Sequence, residues 1–308
     1  MQSASTQKTL NELAPEVLED ALSVEELVPL EGGGFITGVN LEDAAAGAEV
    51  HLPPSTDIPA EIRSNGHKIG ITMPKPGNRA KATIGPNKEI QYDNRDGSMT
   101  TAIPKEGGSL QFINTLSHGD APTEYVYKLD LPPQAKMSLT PEGGVQIIGS
   151  DGAYLGGATA PWARDVAGNP VATEFKIRGK NIVQEVHHSN LPDSSYPVVA
   201  DPWFGIHLYY QPFYSFVSQG YKVNVTPTSW GQQNRAFEMW WAHRDEVVSK
   251  MGNNAWRWTN SIQEQFYCHI HGYPASLPTY NMESWRPTIN WSISLVQYRC
   301  NPYDGAWS

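Results

Sequence analysis

The chain has 308 residues, of which 39% are hydrophobic and 18% charged, and its formal net charge is −10. That length exceeds one ordinary hydrophobic core and predicts two domains, while the composition is too apolar for disorder and too mixed for a coiled coil or fibre. An acidic chain without a Lys/Arg stripe lacks the charge that phosphate backbones demand, so no nucleic acid is expected as partner, and no transmembrane segment is expected because no run approaches roughly eighteen apolar residues.

The opening Met1-Gln-Ser-Ala-Ser-Thr6 lacks the basic-then-apolar layout of a signal peptide. It reads as an initiator Met set on a mature start, with a signal peptide removed upstream. Leu10, Leu13, Val17, Leu18, Ala21 and Leu22 then recur at helical spacing with Glu12, Glu16, Glu19 and Asp20 between them, which predicts a short acidic amphipathic helix. Gly32-Gly33-Gly34 breaks it, and a region rich in Ala, Gly and Pro follows without a clear period. Residues 1–60 are therefore expected to form an N-terminal arm that packs incompletely.

Residues 61–201 change character. Short runs of β-formers, among them 68–73, 89–92, 109–113, 124–129, 145–148, 174–177 and 182–186, are separated by turn signals such as Asp96-Gly97, Gly143-Gly144 and Asp151-Gly152. With no helix-length pattern between them, they predict an antiparallel β-sandwich. His187 and His188 follow one of these runs, and because adjacent strand residues point to opposite faces, one is expected buried and one wet.

Residues 202–308 hold 23 of the 32 aromatics and nine of the ten Trp. Phe237, Trp240, Trp241, Val247, Val248 and Met251 share one helix face, Glu246–Lys250 is a favourable i, i+4 pair, and Gly252 is the stop. A second helix is expected from Ser261, whose spacing to Glu264 fits a capping box. Residues 288–298 alternate and predict a strand ending at Cys300. The fold class is thus mainly β: an antiparallel β-sandwich body followed by a small disulfide-closed α+β domain.

Cys268 and Cys300 are the two cysteines, a number that pairs off completely, with reduced thiols as the alternative. A bridge between them would remove denatured-state entropy worth about 3–4 kcal/mol and would persist in an oxidising compartment.

Few residues suggest chemistry. Cys268-His269-Ile270-His271 gathers three metal-ligating types, but a bridged Cys268 is no thiolate and His-x-His lacks further ligands at closed-site spacing, so no metal and no cofactor are expected. Glu238, His243, Asp245 and Glu246 offer acids beside an imidazole, against the plainer reading of a solvated helix face. There is no Gly-x-Ser-x-Gly elbow, no His-Glu-x-x-His and no phosphate loop. The run Trp203 to Phe216 offers flat area with polar edges, serving either as an exposed binding surface or as a buried joint.

Trp230-Gly231, Trp241, Gln265, Cys268-His269, Asn281-Met-Glu-Ser-Trp-Arg-Pro287 and Arg299-Cys-Asn-Pro302 resemble the pattern of domain of unknown function 2599. The resemblance covers about residues 221–302 and implies an exported actinobacterial protein with its cysteines paired. It assigns no activity and no catalytic residue, but it draws attention to His269, Trp285 and Arg286. Arg286 is suited to clamping a carboxylate or phosphate, or to stacking on Trp285. The candidate functional residues are therefore His269, His271, Glu238, His243, Trp285 and Arg286. The expected function is a secreted or cell-envelope-associated binding protein of a Gram-positive actinobacterium, leaning away from enzymatic activity, with cell-wall glycan or another envelope protein as partner. The alternative is an exported antibacterial effector or hydrolase acting through the C-terminal domain.

Overall fold

A computed structural model describes residues 10, 12–37, 48–64, 67–85, 89–272 and 279–302. Two compact units emerge, Met1–Ile206 and His207–Ser308. The fold is mainly antiparallel β-sheet with a helical C-terminal part.

The first unit contains two large antiparallel sheets. One orders its strands Leu27–Pro29, Phe35–Thr37, Ala48–Leu52, Ala60–Ser64, His67–Thr72, Glu124–Asp130, Asn181–Val186 and Thr173–Arg178. The other runs Lys136–Leu139, Val145–Ile148, Tyr154–Ala158, Trp203–Gly205, Ser109–Leu116, Ser98–Lys105, Ile90–Asp93 and Ala82–Ile84, with Val198–Ala200 pairing Ser109–Leu116. Their facing residues make one core, in which Ile62, Ile71 and Tyr127 of the first sheet join Tyr92, Phe112 and Phe204 of the second. The Asp96-Gly97 turn needs its glycine: φ is +82°, and a Cβ there would come within 2.5 Å of the His118 ring. His187 is exposed and His188 buried, although both lie just past the strand Asn181–Val186, where His188 N turns back to donate to Val186 O at 3.0 Å.

All eight residues of Ser109–Leu116 are buried, so this strand is covered on both faces. The second cover comes from the N-terminal segment: Leu10, Ala14 and Val17 pack on Ile103, Ile113 and Val199. Leu22 N donates to Pro104 O at 2.8 Å and Glu106 N to Asp20 O at 2.8 Å, and the buried Lys105 ammonium donates to Val17 O at 2.7 Å and Glu19 O at 2.8 Å. The incompletely packed arm expected for residues 1–60 differs from this arrangement. Pro15 explains part of the difference, because it disfavours helix at Ala14: Leu10, Glu12 and Leu13 are helical, with Ala14 N donating to Leu10 O at 3.0 Å, and the apolar spacing then continues as a one-turn 3₁₀ helix, Pro15–Leu18. Strands of three to five residues between Leu27 and Ser64 are too short to show a period, yet they join the sheet through backbone hydrogen bonds.

The second unit combines a three-stranded antiparallel sheet, ordered Phe213–Val217, Gly220–Val225 and Tyr280–Glu283, with the helices Ser229–Gln233, Trp240–Met251, Asn260–Gly272 and Trp291–Tyr298. Trp240, His243, Val247 and Met251 bury one face of the second helix, and Gly252, at φ +51°, ends it. The third helix buries Ile262, Phe266 and Ile270. Its expected capping box is absent. Thr259 Oγ1 accepts from Ile262 N at 3.3 Å, whereas Ser261 Oγ donates to Arg286 O and Glu264 accepts from Trp291 N, each at 2.7 Å.

The strand expected at residues 288–298 is a helix. Asn290 caps it by accepting from Ser292 N at 3.1 Å, which favours helix over the extended form that the alternation suggested. Ile293 and Val296, read as strand residues, instead face solvent, 47% and 82% exposed. The disulfide Cys268–Cys300 is formed, with a Cα separation of 5.5 Å. It joins one helix to the chain just after another, where Arg299 and Cys300 turn back through positive φ, rather than joining a helix to a strand. Among the described residues, no helix is long and apolar enough to cross a membrane.

Candidate functional site

The inner face of Trp240–Met251 carries the first group of candidate residues. His243 is fully buried: Tyr209 Oη lies 2.7 Å from Nδ1 and Asn234 O 2.6 Å from Nε2. Since a carbonyl can only accept, Nε2 carries the proton and Nδ1 accepts from the phenol. Burial pushes the imidazole pKa down to about 4, so the ring is neutral and its two nitrogens are saturated. Glu246 sits nearby against the backbone, accepting from Leu208 N at 2.9 Å and Tyr209 N at 3.1 Å and pairing with Lys250 at 3.2 Å. Burial alone would raise this carboxyl, but hydrogen bonding to His207 and the Lys250 charge outweigh it and hold the group below its usual range. Glu238 is exposed and Asp245 pairs with Arg244, so the acid beside the imidazole is Glu246 and its work is structural.

His269 is 5% exposed and stacks flat on Tyr280, ring centroids 5.3 Å apart and planes 8° apart. Among the described residues neither ring nitrogen has a hydrogen-bond partner, and burial lowers its pKa to about 4. A file of rings links it to His243, since Tyr280 lies 6.3 Å from Tyr209 and Tyr209 5.4 Å from His243. His271 points elsewhere. It is exposed, edge-on to Trp240 at 5.8 Å and to Trp291 at 4.9 Å.

Trp285 and Arg286 form a third place. Arg286 Nε donates to Glu283 Oε2 at 2.5 Å, while Lys222 Nζ lies 2.8 Å from Glu283 Oε1 and 5.6 Å from the Trp285 ring centroid. The carboxylate that Arg286 clamps is thus internal, and the cation over Trp285 is Lys222. No hydrogen bond or ring contact among the described residues joins His269, His271, Glu238 and Arg286 into one cluster.

A fourth place was not anticipated by the residue patterns. The half-buried Arg257 guanidinium carbon lies 4.2 Å from the Trp256 ring, 4.8 Å from Tyr221, 5.1 Å from Phe216 and 5.6 Å from Tyr214. Phe216 is 69% and Trp256 67% exposed. Tyr214, Phe216 and Tyr221 share one sheet face because the hairpin register sets Phe216 opposite Tyr221 and Tyr214 opposite Val223. Period-2 spacing of aromatics around Gly220 was the available signal; the partner Arg257 lies more than thirty residues away and carries none. The run Trp203 to Phe216 accordingly divides, with Phe204, Leu208 and Tyr209 buried and Phe213 and Phe216 exposed.

In the first unit, ligand atoms of Glu174, Glu185 and His187 lie within 4.8 Å of one another. Both carboxylates are already engaged by cations: Lys176 reaches Glu185 at 2.5 Å and Glu174 at 3.3 Å, and Arg178 reaches Glu185 at 3.1 Å. These pairs describe a solvated ion network better than a metal centre.

No curated protein matches the chain. Residues 214–303 match the family described as protein of unknown function (DUF2599), so the strands and helices that carry His243, His269, Arg257 and the disulfide form a C-terminal DUF2599 domain.

Proposed function

We propose that this is an exported, non-enzymatic binding protein of the bacterial cell envelope, whose C-terminal domain captures a glycan or a protein through the aromatic face around Arg257. The carrying observation is the exposure of Phe216 and Trp256 beside a cation. Large rings that a folding core would bury are left in water here, and exposed aromatic area rimmed by polar groups is a feature of binding surfaces. The Cys268–Cys300 bridge supports export, because such bonds persist outside reducing cytoplasm. The motif resemblance supports a Gram-positive actinobacterial source. His243 saturated on both nitrogens and Arg286 committed to Glu283 favour binding over the effector or hydrolase alternative.

The test uses the full chain on purified cell envelopes, beside a Phe216→Ser/Trp256→Ser variant. Retention by the native protein and loss by the variant, with unchanged near-ultraviolet circular dichroism, is the expected result. Equal retention of both would overturn the reading.

A further inference from the structure

We infer that the Arg257 site takes a carboxylate-bearing sugar, with the pyranose ring on Trp256 and Phe216 and the carboxylate on the guanidinium edge. The inference rests on the binding-protein reading above and names its ligand class.

The argument begins with the geometry of a guanidinium. Aromatic rings engage its flat faces, whereas its N–H donors lie in its plane and point outward. Four rings surround Arg257, yet among the described residues its in-plane contact is one long bond, Nε to Asn254 Oδ1 at 3.4 Å. Among the described residues, no carboxylate reaches it. This is not for want of acids: Lys222, Arg244, Lys250 and Arg286 of the same unit each pair with one. Arg257 therefore keeps the bidentate fork that best matches a carboxylate, and keeps it where solvent borders the site.

The position is also held in advance of binding. Tyr221 Oη donates to Arg257 O at 3.2 Å, and the 3₁₀ segment Gly252–Arg257 sets Trp256 next to it, with Tyr221 and Trp256 centroids 6.0 Å apart. A fixed cation loses little freedom on binding, which raises affinity for a ligand that fits.

Two carboxylate sources compete, an acidic peptide and an acidic sugar. The exposed rings favour the sugar. A pyranose is rigid and presents a flat face of C–H groups that covers an indole, while a Glu or Asp side chain brings its charge on a flexible stem and must surrender rotamer freedom. Because one carboxylate meets one guanidinium, the affinity should fall only gently with salt, unlike that of a polyanion on a basic stripe.

The test titrates the full chain by tryptophan fluorescence with an oligogalacturonate and with an alternating glucuronate–N-acetylglucosamine oligosaccharide. Each is paired with its methyl ester, and hexaglutamate is the peptide probe. The expected result is at least tenfold tighter binding of one acid sugar than of its ester. Arg257→Gln brings the acid down to the ester's affinity, Arg257→Lys restores part of the difference, and Trp256→Ala weakens acid and ester alike by tenfold or more. Equal affinity for acid and ester, hexaglutamate binding as tightly as the sugars, or no binding of either sugar by folded protein would each overturn the inference. If envelope retention still depends on Phe216 and Trp256 while acid and ester behave alike, the sugar class fails and the binding-protein reading survives. Loss of both brings down the two together.

Discussion

Lys105 in the first unit and Arg257 in the second are both cations set against aromatic rings, and they differ in what their donors do. Lys105 sits 4.9 Å from the Trp203 ring centroid, 2% exposed, with Val17 O and Glu19 O accepting its hydrogen bonds. It closes a tie between the N-terminal segment and the sheet. Arg257 has more rings and fewer acceptors, and its neighbours Trp256 and Phe216 stay in water. A cation–π pair is thus a structural tie where the donors are engaged from within, and we propose it as a binding feature where they are left for something outside.

The largest expected effect sharpens the contrast by removing the covalent tie of the second unit. Replacing Cys268 and Cys300 together by Ala should lower the stability of residues 207–308 by about 3–4 kcal/mol in the loop-closure account. Denaturation followed by tryptophan fluorescence checks this, since nine of ten Trp lie in residues 201–308. A midpoint unmoved by the substitution would mean that the helices hold without it.

Acid separates the two units next. His243 and His269 are held near a pKa of about 4 by burial, below the 6.5 of a free imidazole. The unfolded chain then binds more protons than the folded one between those values. Stability is complete above pH 6.5 and falls as pH drops toward 4, on the order of 3 kcal/mol per ring. Asp201 in the first unit runs the other way. Burial raises it to about 7 against 3.8, so over the same interval acid adds stability there. Hydrogen exchange at pH 4.5 against pH 7 should show faster opening at 260–272 and none of that loosening at 109–116. His269→Phe should reduce the acid sensitivity without lowering stability at pH 7, because an unpartnered imidazole is replaced by a ring of similar shape.

Lys105→Met tests the tie itself. It leaves two carbonyls without their donor, and a loss of about 1–3 kcal/mol should appear as faster proteolysis within residues 10–22. The smallest effect on stability belongs to Trp256→Ala, expected within about 0.5 kcal/mol because the ring is mostly in water. A large loss there would make the aromatic face a packing device and remove the contrast with Lys105.

Period-2 runs between residues 68 and 186 were legible as strands because a sandwich buries one face of each, and the Trp240–Met251 helix was legible from Trp240, Val247 and Met251. The short strands between Leu27 and Ser64 were not, since three residues carry no period. Residues 291–298 were misread because Trp291, Ile293 and Leu295 alternate as a strand would, while the Asn290 cap decided for helix. Of the candidate residues, His269 and His243 were singled out by type. Their burial, and the diversion of Arg286 to Glu283, depended on neighbours distant in sequence.

Local chemistry in the sequence determined the β-rich body, the aromatic C-terminal domain and two cysteines able to pair. Tertiary structure alone decided that Leu10, Ala14 and Val17 cover the outer face of Ser109–Leu116, and that Arg257 meets Tyr214, Phe216 and Tyr221. The reason is physical: turn and strand preferences are set within a few residues, whereas which donors are saturated and which rings remain in water is set by groups that meet only after the chain has folded.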